Sequence, residues 1–282
     1  MQKIIKFFTA FIYCFKIALI DTIRHDGIEH AGYLSFLAIL SIFPFLILFV
    51  SLAGLFGQTI LGQELVTMLL TYLPKEVIIG LTPRLNEIIS GPPQSLLTIA
   101  IFGAIWTASS SVEGLRTIFN KAYRVSTPPS YVWRRLLSII QFLIITCLIL
   151  LAIFIIIMTP LILNKLSSFN IYSQLLKLRF LFTSVMIFFS VSFLYYVIPN
   201  LKQKMLNICP GALIVVILWS ASASIFSLYL NNFDQVNIIY GSLASFIIAL
   251  LFFYIMAMIL IFGAEFNYAI EKYTGFKFIE KS

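Results

Sequence analysis

The sequence predicts an all-α, polytopic membrane protein with six transmembrane helices and an interfacial helix at its N-terminus. Of the 282 residues, 61% are hydrophobic and only 11% are charged, and the mean hydropathy is +1.02. Soluble domains are roughly half apolar and a quarter charged. The apolar residues form long uninterrupted runs, without the period-two alternation of an outer-membrane barrel. Most of the chain is therefore predicted to be surrounded by lipid.

Residues 1–30 are predicted to lie at the membrane surface. Lys3, Lys6 and Lys16 interrupt a run rich in Phe and Ile, so the apolar stretch between charges is too short to span a bilayer. A helix in the interface, with its lysines at the lipid headgroups, fits this pattern. A polar collar then precedes the first span and consists of Asp21, Arg24, His25, Asp26, Glu29 and His30.

Six further segments are long and apolar enough to cross a hydrocarbon core of about 30 Å. They are predicted at about 31–57, 95–115, 136–163, 180–199, 206–230 and 239–268. Together they form one transmembrane domain over residues 31–268, followed by a tail over residues 269–282. An even number of spans places both termini on the same side of the membrane.

The distribution of Lys and Arg predicts which side that is. Fourteen of these residues lie in the N-terminal segment, the segments between spans 2 and 3 and between spans 4 and 5, and the tail. The segments on the opposite side hold five. Because cytoplasmic loops carry the excess of basic residues, both termini are predicted to be cytoplasmic. The net charge of +8 fits this orientation, and no nucleic-acid partner is expected, since no basic cluster accompanies a soluble binding fold.

Span 2 carries more polar side chains than any other predicted span. Its candidate site residues are Trp106, Thr107, Ser109, Ser110, Ser111, Glu113 and Arg116. Glu113 and Arg116 are three residues apart and share one helical face. Two interpretations of this pair stay open: the helix leaves the membrane there, or both charges face the interior of the protein. Charges inside a membrane cost roughly 2.5–3.5 kcal/mol each on insertion scales, so they usually face the interior or water.

Glu265, near the end of span 6, is the second candidate for an interior charge. Gly263 and Ala264 precede it and would let a neighbouring backbone approach closely. Its depth matches that of the inner end of span 2, so we expect a pair between Glu265 and a cationic residue there, with Arg116 as the first choice. Such a pair could be purely structural, because it locks two helices together.

A second group of hydroxyl residues, in span 5, resembles the group in span 2. Trp219, Ser220, Ser222 and Ser224 repeat the pattern of residues 106–111, three spans away. An odd separation reverses a helix, so an inverted repeat of three plus three spans would leave this pattern and place a site where spans 2 and 5 meet. Both groups are therefore predicted to line a pathway. Close helix packing is the alternative explanation of the same small residues.

With the spans laid out, sequence blocks along nearly the whole chain resemble the YihY/BrkB family of bacterial inner-membrane proteins. The blocks are Ala31–Pro44, Trp106–Ser111, Asn120–Tyr123, Tyr195–Pro199, Pro210–Ala212, Tyr240–Ala244 and Gly263–Asn267. Each block is short, but their order matches that of the family. Gly32, Ser35 and Phe36 depart from the family pattern, which more often has Ala and paired aromatic residues. The resemblance implies six spanning helices in the inner (cytoplasmic) membrane of a bacterium.

The resemblance supplies no agreed substrate. Some members carry the historical label ribonuclease BN, others virulence factor BrkB, and transport has been suggested. A metal-dependent nuclease needs several His and Asp ligands, whereas this chain has two histidines and no His-x-His-x-Asp-His run. No nucleophile–base or metal constellation appears, so we expect no enzyme activity, no metal and no cofactor.

The predicted function is a transporter or translocator of an amphiphilic or lipid-like molecule, since the spans hold few charges for a small ion. The alternative is a structural or accessory membrane protein with no translocated substrate. The expected partners are the lipid bilayer and a small or lipid-like substrate, and a homo-oligomer stays open. No nucleotide-binding motif is present, so transport would be passive or driven by a gradient.

Overall fold

The computed structural model describes residues 2–56, 94–125, 130–165, 172–231, 242–274 and 279–280. These residues form seven helices: α1 Gln2–Arg24, α2 Gly27–Phe56, α3 Gln94–Ala122, α4 Tyr131–Lys165, α5 Tyr172–Val197, α6 Met205–Asn231 and α7 Ser242–Thr274. Two short strands, β1 (Leu201–Lys202) and β2 (Ile279–Glu280), pair antiparallel. The helical class predicted from the sequence is confirmed.

Among the residues whose side chains are described, three helices are long and apolar enough to cross a membrane, by length and composition. The qualifying stretches are Tyr131–Leu148 in α4, Met205–Tyr229 in α6 and Phe246–Tyr273 in α7. Shorter apolar stretches occur in α2 and α5. The six-span arrangement as a whole stays a prediction.

The chain divides into two compact units. The larger unit contains residues 1–37 and 112–282, and the smaller unit contains residues 38–111. Within the smaller unit, the described residues belong to the later part of α2 and the first part of α3. The ion pairs described below lie within the larger unit.

The helix α7 contributes to three hydrophobic clusters of the larger unit. One cluster joins the ends of α3 and α5 to α6 and α7 and includes Phe119 and Leu260. A second packs α1 against α6 and α7 and includes Phe266. A third joins α2 and α3 to α7 through residues such as Ile118 and Ile261. The helices α1, α2, α3, α5 and α6 therefore all contribute to clusters that include α7.

The helices α6 and α7 cross at two glycines, where the absence of side chains lets the backbones touch. A Cβ on Gly211 would overlap the backbone oxygen of Gly263, and a Cβ on Gly263 would overlap the hydroxyl of Tyr195. The side-chain oxygen of Asn267 accepts a hydrogen bond from the Gly211 amide at 2.7 Å. This amide follows Pro210, which lacks an N–H and disturbs the helical hydrogen bonds locally. Asn267 thus secures α6 against α7 at a weakened turn.

The helix α1 packs against α7 through aromatic and polar contacts. The ring centroids of Phe11 and Phe266 lie 5.4 Å apart, and those of Phe15 and Phe262 lie 5.0 Å apart. Just after the end of α1, His25 Nδ1 lies 3.1 Å from Glu265 Oε1. The helix α7 therefore contacts both α1 and the turn that follows it.

Gly263→Ala is expected to destabilise the protein, because the new Cβ would overlap Tyr195 and force α6 away from α7. We expect a loss of about 1–3 kcal/mol in the free energy of unfolding, measured by denaturant titration of the detergent-solubilised protein and followed by circular dichroism. Gly32→Ala is the matched control, since nothing lies within 4 Å of a Cβ there and Ala favours a helix. Equal stability of the two variants would contradict this packing.

Candidate functional site

Buried and partly buried polar side chains gather around the C-terminal end of α3 in two clusters. The Arg116 cluster consists of Glu113, Arg116, Arg134, Ser138 and Gln141. The Glu265 cluster consists of Asp21, His25, Arg124, Glu265 and Tyr268. The first cluster connects α3 to α4 and α5, and the second connects the end of α3 to α1 and α7.

Arg116 lies at the centre of its cluster, with only 1% of its side chain exposed. Its Nη1 donates to Glu113 Oε2 at 3.1 Å, and its Nη2 donates to the side-chain oxygen of Gln141. Its Nε donates to the backbone oxygen of Ile198 at 3.3 Å, and Gln141 donates to that of Val197 at 2.8 Å. These oxygens belong to the last residue of α5 and to the residue after it, where carbonyls lack partners within the helix and attract cations.

The negative charge of the Glu113 carboxylate is compensated by side chains from two helices. Besides Arg116, the hydroxyl of Ser138 donates to Glu113 Oε2 at 2.6 Å, and Arg134 Nε lies 3.4 Å from Glu113 Oε1. Of the two interpretations of Glu113 and Arg116, the inward-facing pair matches this geometry. The contacts of Glu113 with Ser138 and Arg134 tie α3 to α4.

Glu265, 1% exposed, is the centre of the second cluster. Arg124 donates to both of its oxygens, with Nη2 at 2.9 Å from Oε2 and Nη1 at 3.1 Å from Oε1. His25 Nδ1 lies 3.1 Å from Oε1, and Asp21 Oδ2 accepts from Arg124 Nη2 at 3.2 Å. The Arg124 guanidinium also lies over the Tyr268 ring, 4.5 Å from its centroid. Its planar fork suits both the carboxylates and the ring.

The backbone of Arg124 is left-handed, with a φ of 59°, where a helix end usually carries Gly. The Arg124 amide donates to the Lys121 carbonyl at 3.1 Å, and the Val125 amide donates to the Asn120 carbonyl at 2.8 Å. This pattern closes the end of α3. A non-glycine residue in this conformation costs about 1–2 kcal/mol. The ion pair with Glu265 offsets that cost, and the reversed backbone directs the arginine towards α7.

The prediction that Arg116 pairs with Glu265 is wrong, because the cation that binds this carboxylate is Arg124. Arg116 precedes Arg124 by eight positions, about 12 Å along a helix, and its donors are engaged by groups from α3, α4 and the end of α5. The sequence indicated that the end of span 2 would supply the cation. It did not indicate which residue, because a left-handed arginine leaves no sequence pattern.

A more exposed set of contacts ties the turn between α1 and α2 to α3. Lys121 Nζ lies 2.6 Å from Asp26 Oδ2 and 3.1 Å from His30 Nε2. The hydrogen bond and charge of Lys121 lower the pKa of Asp26 below its ordinary value. Partial burial, and then the charge of Lys121, lower the pKa of His30. Because both side chains of the Lys121–Asp26 pair are well exposed, water and salt screen it.

Three of the hydroxyl residues of α3 bond within their own helix. Trp106 and Thr107 are exposed, Ser109 is buried, and Ser110 and Ser111 are half-buried. Thr107 donates to the Gly103 carbonyl at 2.9 Å, and Ser109 donates to the Trp106 carbonyl at 2.9 Å. Ser110 also donates to the Trp106 carbonyl, at 3.4 Å. Hydroxyls bonded one turn back need no partner on another helix.

The hydroxyl residues of α6 follow the same rule. Ser220 donates to the Val216 carbonyl at 2.8 Å, Ser224 donates to the Ser220 carbonyl at 3.0 Å, and Ser222 is half-buried. The indole of Trp219 reaches α7 and donates to the Met256 carbonyl at 3.0 Å. Residues 106–111 belong to the smaller unit and residues 219–224 to the larger one. A pathway where the two groups meet stays a prediction.

Three polar residues of α4 were not predicted to belong to a site, namely Arg134, Ser138 and Gln141. They lie four and three positions apart and so share one face of the helix. Ser138 is fully buried and Gln141 is 7% exposed. Their helical spacing within an otherwise apolar segment was the available signal. Asp21 and His25 are also four positions apart, but they were assigned to the polar collar, and Arg124 offered no such periodicity.

Asp21, His25 and Glu265 are side chains that could hold a metal ion. Their ligand atoms lie within 4.8 Å of one another. Arg124 donates to both carboxylates and so supplies a positive charge beside them. A divalent cation in the same place would be repelled by the guanidinium.

Both clusters lie within the part of the chain that matches a known family. The sequence profile described as Virulence factor BrkB matches residues 20–279. The chain belongs to the BrkB family. This result confirms the resemblance seen in the sequence blocks.

Relatives of this BrkB-family chain are named as membrane proteins. A UPF0761 membrane protein of Chlorobium luteolum is 25% identical over 273 residues, which are 93% of this chain and 61% of that protein. Another from Vibrio vulnificus is 24% identical over 262 residues, 88% of this chain and 79% of that protein. YfkH of Bacillus subtilis, named as ribonuclease-like, is 25% identical over 253 residues, 88% and 91% of the two chains. No solved structure matches the chain. Together with the apolar helices, these relatives indicate a membrane protein.

Arg124→Ala is expected to destabilise the protein, because the buried Glu265 carboxylate loses its main partner. We expect a loss of about 3 kcal/mol in the free energy of unfolding in detergent. The double variant Arg124→Ala/Glu265→Gln removes the stranded charge, so it should recover much of that loss. Lys121→Ala, which removes an exposed pair, is the control and should change stability little. A double variant no more stable than Arg124→Ala would show that Arg124 does not compensate the charge of Glu265.

Proposed function

We propose that this BrkB-family protein is a transporter of the bacterial inner membrane that moves an amphiphilic or lipid-like molecule. One observation carries the proposal. Glu265 lies in an apolar helix long enough to cross a membrane, yet it is buried and bound by side chains from two other segments. Ionisable groups are costly inside membrane helices, and those that occur commonly mark substrate pathways or proton relays.

The composition of the predicted spans supports the class of substrate. Within the six predicted spans, the Asp, Glu, Lys, Arg and His residues number two, Glu113 and Glu265, and each lies near the end of its span. A small ion needs polar groups along its route to replace its water shell. A molecule with a polar head and a long apolar part needs them only near the ends of the route. The Arg116 and Glu265 clusters lie at one such end.

The Glu265 cluster fits a closure at the inner end of the transporter. Arg124 holds α1, the end of α3 and α7 together through its two carboxylate partners, Asp21 and Glu265. Substrate movement past this point requires that these contacts loosen. Ion pairs suit this task, because their partners can be exchanged for water or for another charge while the helices stay folded.

In this proposal, six segments cross the membrane, both termini are cytoplasmic, and α1 lies in the interface. The excess of Lys and Arg on the side of the termini supports the orientation. The interfacial position is supported by the outer face of α1, which carries exposed Ile12, Leu19 and Ile23 beside Lys16, as interfacial helices do.

The orientation predicts where introduced cysteines react. In a background with Cys14, Cys147 and Cys209 replaced by Ser, Ser130→Cys should react with a membrane-impermeant maleimide only in inverted membrane vesicles. Gln94→Cys should react only in intact cells. Labelling is read from the mass of the purified protein. Reaction of position 94 from the cytoplasmic side would overturn the proposed topology.

Transport is tested by lipid and metabolite profiling of a strain that lacks the protein, without assuming a substrate. We expect an amphiphile to accumulate, and its level to return to normal with the wild type and with Lys121→Ala. Glu265→Gln and Glu113→Gln, expressed at equal amounts, should not restore it. The accumulated compound should then cross proteoliposome membranes that contain the wild type. Full restoration by both Gln variants would show that neither carboxylate is needed for transport. An unchanged profile in the deletion strain would favour a structural membrane protein.

A further inference from the structure

Two guanidinium groups of the Arg116 cluster share one carboxylate. Arg116 Nη1 lies 3.1 Å from Glu113 Oε2, and Arg134 Nε lies 3.4 Å from Glu113 Oε1. The other members of this cluster, Ser138 and Gln141, are uncharged. The cluster therefore carries one positive charge in excess. Because an excess charge in partly apolar surroundings is costly without a counter-charge, this part of the protein favours the approach of an anion.

Arg134 is the member of the cluster that an anion can reach. The side chain of Arg116 is 1% exposed, and all three of its nitrogens are engaged by protein oxygens. The side chain of Arg134 is 27% exposed. Its buried Nε makes no hydrogen bond, and among the described residues none accepts from its two terminal nitrogens. A guanidinium held at one edge and open at the other can donate both terminal nitrogens to a single anion.

The surroundings of Arg134 place it at the depth of lipid headgroups. Tyr131 and Trp133 precede it at the start of α4, and each is 63% exposed. Tyr and Trp are enriched where membrane helices meet water, and the stretch of α4 that is long and apolar enough to span begins at Tyr131. No Asp or Glu occurs in the sequence of α4. The helix therefore supplies no negative charge of its own beside Arg134.

An exposed apolar stripe runs along α4 from the same point. It consists of Trp133, Leu137, Ile140 and Ile144, whose spacing of four, three and four positions keeps them on one face of the helix. Leu137 lies three positions after Arg134, so the two are neighbours on the helix surface. A lipid whose acyl chains lie on this stripe therefore brings its headgroup to Arg134.

We propose that Arg134 and the exposed stripe of α4 form a binding site for an anionic phospholipid of the bilayer. The lipid phosphate accepts hydrogen bonds from Nη1 and Nη2 of Arg134, a geometry that suits a planar guanidinium. Basic pockets between membrane helices bind phosphate headgroups in this way. The phosphate supplies the negative charge that the Arg116 cluster lacks. The site does not rest on the proposed transport, because it holds a bilayer lipid whether or not the protein moves one.

Trp133 can report which lipid occupies the stripe. The chain has three tryptophans, so in a Trp106→Phe/Trp219→Phe background the tryptophan fluorescence comes from Trp133. The full-length protein is placed in mixed vesicles of phosphatidylglycerol and phosphatidylcholine, with dibrominated acyl chains on one lipid at a time. Because bromine quenches a tryptophan that it touches, the two quenching curves give the relative affinity of the lipids. We expect a preference for phosphatidylglycerol of about fivefold, which falls as the salt concentration rises.

Three variants in this background test the role of Arg134. Arg134→Gln removes the cation and should abolish the preference. Lys121→Gln is the matched control, because it removes the same charge from a side chain already paired with Asp26, and it should keep the preference. Leu137→Glu leaves the contact between Arg134 and Glu113 in place but adds a competing carboxylate one turn away. It should also abolish the preference, and it serves if Arg134→Gln does not fold.

Three results would overturn the proposal. One is equal quenching by the two lipids without any change at Arg134. Another is a preference that persists in Arg134→Gln and in Leu137→Glu, which would assign it to a different basic group. The third is loss of the preference when an excess of inorganic phosphate is added at constant ionic strength, which would show that the site takes free anions rather than a lipid.

Discussion

The ion pair between Arg124 and Glu265 is the contact on which the larger unit depends. Glu265 belongs to α7, the helix that packs in all three hydrophobic clusters of this unit. Only 1% of the Glu265 residue is exposed. A carboxylate buried in an apolar helix is costly unless a cation and further donors bind it. The strained backbone of Arg124 indicates how strongly this contact constrains its surroundings, because that conformation persists without a glycine.

The helical class could be predicted because lipid imposes one simple requirement. Backbone groups have no water to bond with, so apolar runs of about 20 residues must become helices. The way the helices pack follows from contacts between residues far apart in the sequence. Phe11 with Phe266, and Gly211 with Gly263, are two such contacts. The sequence indicated a close approach at Gly263 but did not indicate which residue would make it.

The candidate site could be predicted in part, for a related physical reason. Glu113, Arg116 and Glu265 stand out because each is a charge at the end of an apolar helix. Arg124 does not stand out, because it is one of five basic residues between spans 2 and 3, and only its backbone conformation selects it. The hydroxyl residues of α3 and α6 attracted attention through composition. Composition does not show that Thr107, Ser109 and Ser220 bond to carbonyls of their own helices.

The contact of α6 and α7 at Gly211 and Gly263 limits how the protein can change shape. Two helices that touch backbone to backbone, with Asn267 bridging them, cannot slide past each other without breaking that contact. They therefore behave as one rigid body. A change of shape in the larger unit would therefore have to leave this contact intact and move other helices around the pair.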